Sequence, residues 1–168
     1  MFRPMRREKQ LLTLTDTQAV LDRCTNGILA CIGDEGYPYA VPVSYVYYNE
    51  KIYFHSAKNG HKMDAIANHP KVSFTVVDED QIVSKEYTTY FRSVIAFGNA
   101  RIVEHEERLE AFKALVEKYS GDQPNENKQN EIQGCQHAAI VAIDIEHMTG
   151  KEAIEFVRAK QINSEQSQ

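Results

Sequence analysis

Three groups able to carry positive charge, Lys58, His61 and Lys62, crowd five residues where a strand pattern gives way to a helix pattern. The surrounding stretch, Ile52 to Lys62, reads IYFHSAKNGHK. A helix N-terminus already carries partial positive charge and favours Asp, Glu or a Ser/Thr cap. Cations there are misplaced unless an anion sits between them and the free backbone N–H groups. Ser56 would add a hydroxyl to the same cradle. The chemistry that this spacing suits is capture of a phosphate; the alternative is a solvated Lys/His loop. His55 ends the strand and would contact a planar ring or a substrate, or sit half-buried with its hydrogen bonds satisfied. Alternation along the strand puts His55 and Ser56 on opposite faces, so they serve different purposes.

Other chemistries lack their residues. His55, His61, His69 and the Cys135-x-His137 pair do not have zinc spacing, so no metal site is expected. No Ser or Cys lies in a nucleophile-elbow motif. Neither G-x-x-x-x-G-K nor G-x-G-x-x-G occurs. What remains is an anion site beside a Tyr- and Val-rich strand, with Pro42, Val43 and Ser44 as a flat apolar slot. Small-molecule sites are mostly apolar with few polar anchors, so a phosphorylated planar cofactor suits this pair of features.

The 168 residues suit one domain that buries roughly 70% of its unfolded surface. A net charge of −5 argues against nucleic acid or an anionic membrane as main partner. No apolar run reaches the ~20 residues of a membrane span. The basic opening, MFRPMRREKQ, is not followed by a signal-type apolar segment. The expected location is cytoplasmic. Cys24, Cys31 and Cys135 read as reduced structural thiols.

The elements that must position the site follow from pattern. A short helix capped by Thr15 or Asp16 runs to Arg23, burying Ala19, Val20 and Leu21. A strand from Gly27 to Ile32, a long one from Tyr37 to Tyr48 and a return strand from Lys51 to Ser56 come next. Pro42 marks an edge, a bulge or a split between sheets. The site helix spans His61 to Asn68. Strands follow at Val72–Val77 and Thr88–Val103, separated by an acidic turn from Asp78 to Lys85. Gly98 suggests a bulge or a close approach. The strongest helix, Glu106 to Tyr119, carries a stripe of Leu109, Phe112, Leu115, Val116 and Tyr119. A loop from Ser120 to Gln129, a short helix to Cys135, a buried strand from Ala138 to Ile145 and a turn at His147–Lys151 complete the fold. Short links make the sheet largely antiparallel. About six strands with flanking helices predict a small barrel. Residues 1–158 form the single domain, and 159–168 a polar tail.

The segments FHSAKNGHK and NHPKVSF, preceded by YPYAVPVSYVY, resemble the pyridoxamine 5′-phosphate oxidase-like superfamily of flavin-binding split barrels. FRPMRREKQLL, TTYFRSVIAFGNARIV and IDIEHMTGKEA look like its 5-nitroimidazole resistance branch. This resemblance covers about Phe2 to Glu155. It implies a mainly β fold, a six-stranded antiparallel split β-barrel with flanking helices. It further implies a homodimer with FMN, or FAD, at the interface. The phosphate would fall on Ser56, His61 and Lys62. The flavin ring would lie against Val41, Pro42, Val43 and Ser44, with His55 beside it as candidate catalytic residue. Tyr90, Arg92 and Phe97 would come from the partner subunit. The implied activity is flavin-dependent reduction of nitroimidazole-type or related small aromatic acceptors; the alternative is a non-catalytic flavin- or haem-binding protein. His61-Lys62 stands where the oxidase proper has Arg-Lys, and its pyridoxal-phosphate-binding Arg/His set has no match. Pyridoxamine phosphate oxidation is therefore not expected.

Overall fold

The computed structural model describes residues 1–134 and 137–165. Helix α1 (Leu14–Arg23) precedes β1 (Asn26–Ile32), β2 (Pro38–Ser44), β3 (Val46–Tyr48) and β4 (Lys51–Ser56). Helix α2 (His61–Asn68) leads to the long strands β5 (Lys71–Val83) and β6 (Thr88–Val103). Helices α3 (His105–Ser120) and α4 (Asn125–Gly134), strand β7 (Ala139–Glu152) and helix α5 (Ile154–Glu165) finish the chain. The strands form one antiparallel sheet in the order β2-β1-β5-β6-β7-β4-β3.

In place of the expected six-stranded split barrel there is one seven-stranded sheet whose ladder does not close. The extra strand arises because the run from Tyr37 to Tyr48 breaks at Tyr45. Its halves, β2 and β3, lie at opposite ends of the ladder, joined by that one residue. Tyr45 is fully buried, edge-on to Phe74, and its hydroxyl donates to the Leu21 carbonyl at 2.8 Å. Its backbone bonds neither strand partner. The Tyr45 N–H donates to the Tyr119 hydroxyl at 2.9 Å, and that hydroxyl lies 2.8 Å from the Tyr45 carbonyl and 2.5 Å from that of Thr25. A buried backbone pair needs partners, and here α3 supplies them. Burial raises the Tyr119 phenol above its ordinary pKa, against hydrogen bonds from Tyr45 and Ser44 that lower it, so it stays protonated. Pro42 sits on the edge strand, as its missing N–H demands.

Other boundaries move for local reasons. Thr13, not Thr15 or Asp16, caps α1 by accepting from the Asp16 N–H, and Ala19 is exposed while Thr17 is buried. The acidic stretch after Val77 continues β5, because Arg23 and Arg92 neutralise Asp78 where the ladder shifts register. Helix α4 begins at Asn125, inside the expected loop, and Cys135 lies outside the described residues. His147 to Lys151 extends β7 instead of turning, with Gly150 paired to Val94. The expected tail is helical through Glu165, and Lys160 ties α5 to Glu152 at 2.8 Å.

Two apolar clusters hold the fold. Leu29, Ile52, Phe54, Phe74, Val76 and Val94 fill the concave side of the sheet, closed by Val20 and Leu21 of α1 and Met63, Ala65 and Ile66 of α2. Tyr53, Ile140 and Ala142 face the other way and pack under Phe112, Leu115 and Val116 of α3. Strand β4 therefore feeds both sides, Ile52 and Phe54 to one and Tyr53 to the other.

The convex side of the same sheet carries two cross-strand rows. One runs Ala40, Ala30, Ser73, Phe97, His147, and the next runs Pro42, Ile28, Thr75, Ile95, Thr149. Neither row holds a Lys, Arg, Asp or Glu. Ile28, Ile95 and Phe97 are each about two-fifths exposed (40%, 39% and 38%). Phe2 of the N-terminal arm stacks on His147 at 4.7 Å and touches Phe97 at 5.4 Å.

Candidate functional site

Ser56, His61 and Lys62 belong to one β4–loop–α2 unit. Gly60 precedes the helix at φ +116°, a value that L side chains rarely adopt, and space is open where a Cβ would stand. No side chain caps α2; Gly60 instead accepts from the Met63 and Asp64 N–H groups at 2.8 and 3.1 Å. The Ser56 hydroxyl is buried and has no hydrogen-bond partner among the described residues. Lys62 is half-buried, and no carboxylate lies within ion-pair distance of it among the described residues. An orphaned hydroxyl, a cation without an ion-pair partner among the described residues and a helix start without a side-chain cap are each a feature that an anion would satisfy. His61 is held differently. It stacks on Tyr39 at 4.0 Å, with Nε2 3.8 Å from Asp34, so its ring is committed to β2 and the turn before it.

The β2 quartet divides by face. Val43 is buried and Val41 half-buried, both toward the core. Pro42 and Ser44 are exposed, Pro42 within the uncharged convex rows. Phe97 lies on that same convex face, so Pro42 and Phe97 are brought onto one surface. Tyr90 and Arg92 are not. Tyr90 donates to Glu86 at 2.8 Å and meets the Phe156 ring edge-on. Arg92 bonds Asp78 at 3.0 Å and Glu152 at 3.3 Å, under the Phe156 ring.

His55 is exposed on the side of β4 opposite Ser56, as alternation requires. It lines a cavity of about 440 Å³ whose floor is Phe112, Leu115 and Val116 of α3. Ser44 and Tyr119 are at the same cavity. The sequence hid this wall, because a Phe/Leu/Val stripe at helical spacing signals core, and the inner part of that stripe is core. Among the described residues no three His, Cys, Asp or Glu side chains cluster to hold a metal ion. No helix among them is long and apolar enough to cross a membrane.

The family model described as pyridoxamine 5′-phosphate oxidase matches residues 14–152, all of the sheet and the α2 cradle. The chain belongs to this family. No curated protein matches the chain. Solved structures similar to this family member include a conserved hypothetical protein of Mycobacterium tuberculosis, at 23% identity and TM-score 0.76, covering 89% of this chain and 90% of that one. A candidate 5-nitroimidazole antibiotic resistance protein of Bacteroides thetaiotaomicron has 20% identity and TM-score 0.70, covering 84% and 86%. A flavocytochrome of Azotobacter vinelandii has 20% identity and TM-score 0.72, covering 90% and 72%. These likenesses establish the shared fold of the family.

Proposed function

We infer that the protein is a flavin-dependent reductase of small aromatic acceptors, built as a homodimer with FMN or FAD between its two copies. The observation that carries this reading is the unpaired Lys62 and orphaned Ser56 hydroxyl at the uncapped start of α2. Family membership adds a scaffold that hosts flavins, and the nitroimidazole-resistance and flavocytochrome neighbours support the redox class. The bound flavin would supply hydride or single-electron transfer. The chain's own residues would do the rest. Lys62, Ser56 and the α2 backbone would hold the phosphate. Pro42 and, from the second copy, Phe97 would give the ring an uncharged bed that excludes water.

The absorption spectrum of the purified protein, with the mass of any released cofactor, tests this. A flavin spectrum and a flavin mass are expected; a colourless protein that takes up no added FMN defeats the reading. Lys62→Ala should weaken FMN by about 1.5–3 kcal/mol, the worth of a hydrogen bond to a charged group. That is at least a tenfold rise in Kd by flavin-fluorescence titration, and an unchanged Kd would remove Lys62 from the phosphate site.

The dimer has its own test. A two-fold axis through the convex face brings each residue of one copy close to the same region of the other. Ile95→Glu should therefore set like charges against each other and weaken self-association about a hundredfold in sedimentation equilibrium. A variant that stays dimeric at micromolar concentration would place the interface elsewhere.

A further inference from the structure

We propose that the cavity between His55 and helices α3 and α4 is the acceptor site, and that it selects a neutral, planar, mostly apolar ring over an anionic one. The inference rests on the reductase reading, since it names that reaction's second substrate. At about 440 Å³ the cavity falls within the usual range for small-molecule sites, roughly 300–1,000 Å³. Phe112, Leu115 and Val116 give it an apolar floor against which an aromatic ring can pack.

The charges at the rim set the selectivity. Lys128 is the lining lysine, and it is already spent: its Nζ bonds Glu117 at 2.9 Å and the Gly121 carbonyl at 3.3 Å. Glu131 also lines the cavity and adds negative charge. A carboxylate or phosphate entering here would lose water without meeting a free Lys or Arg among the described lining residues, which is costly. A neutral ring meets the hydrogen-bonding groups of His55, Ser44, Gln123 and Asn127 instead. This is the reverse of the α2 cradle, where an unpaired Lys62 favours an anion. The two sites therefore divide the work, with the charged cofactor end at α2 and the uncharged acceptor at α3.

Position supports the division. His55 and Ser56 are adjacent on β4 but face opposite sides, His55 lining this cavity and Ser56 buried on the other face. Ser44 ends β2 two residues after Pro42, so the cavity adjoins the strand on which the flavin ring is proposed to lie. Tyr119 fixes that junction by bonding the Tyr45 backbone.

The test titrates the purified protein with 4-nitrobenzyl alcohol and with 4-nitrobenzoate, two rings of similar size that differ in charge, by calorimetry. The alcohol should bind at least tenfold tighter. Asn127 is exposed at the rim, so Asn127→Trp narrows the mouth without entering the core. It should raise the Kd for the alcohol at least tenfold and leave the Kd for FMN unchanged. Gln123→Trp, also exposed, should do the same. Equal or tighter binding of the benzoate, or alcohol binding that neither variant affects, overturns the proposal. The parent reading fails separately: wild-type protein that takes up no flavin but whose alcohol binding is blocked by Asn127→Trp loses the reductase and keeps the neutral-ring site.

Discussion

Replacing Asp78 by alanine should cost the fold about 3 kcal/mol, read as a lower urea midpoint at unchanged slope. Breaking a buried ion pair from one side costs roughly 3–5 kcal/mol, because the partner charge is left uncompensated. The Asp78 side chain is 8% exposed and holds both Arg23, at 2.5 Å, and Arg92, at 3.0 Å. Arg92, 19% exposed, would keep only the longer bond to Glu152 at 3.3 Å, whereas Arg23, at 47%, can return to water, so the lower end of the range applies. Loss of Asp78 would also free the register shift that follows Val77. The pH dependence has a definite sign. Burial alone would raise the Asp78 pKa, but the hydrogen bonds from Arg23 and Arg92 outweigh it and hold the carboxyl below its ordinary value. A folded-state pKa below the unfolded one stabilises the protein above the ordinary carboxylate range. That contribution is lost as pH falls from about 5 through the folded-state value. Asp78→Asn should flatten this acid limb, and a limb identical to wild type would show that other carboxylates control it.

Replacing Gly98 by alanine should destabilise the protein by a similar amount, about 3 kcal/mol, the upper end of the usual overpacking cost. A Cβ there would lie 2.2 Å from the Asp144 carbonyl oxygen and 2.9 Å from its carbon. Both obstacles are backbone, so no rotamer change relieves them. The residue sits at the β6–β7 register shift, in the middle of the sheet. Gly134→Ala is the control. Among the described residues nothing lies within 4 Å of its added methyl, and its midpoint should stay near wild type. A Gly98→Ala midpoint equal to that of the control would mean the β6–β7 ladder yields more easily than its geometry implies.

Gly98 shows what was legible in the sequence. A glycine inside an apolar strand pattern has few explanations, and the bulge was one of them. Helix α3 was equally plain, because 3/4 periodicity is a local signal, and so was the end of α2 at the His69-Pro70 pair. The break at Tyr45 was not legible. The run from Tyr37 to Tyr48 alternates without interruption, and what splits it is a hydroxyl 74 residues away on Tyr119. The extension of β5 past Val77 failed for the same reason: Asp78 signals a turn until Arg23 and Arg92 neutralise it. At the candidate site, charge out of place at a helix start pointed to Ser56, His61 and Lys62 as an anion cradle. It could not foresee that Tyr39 and Asp34 would engage His61. Nor could it separate the faces of β2, which leave Pro42 outside and Val43 inside.

The single-residue joint at Tyr45 also governs how this protein meets others. An open sheet normally exposes two long edges, each a template for adding strands from another molecule. Here the two edges are the consecutive halves of one run, seven and three residues long. The longer half contains Pro38 and Pro42, which offer no N–H to an incoming strand. Runaway strand addition, the first step toward fibrils, thus finds little purchase. Side chains on a face offer the easier route to association.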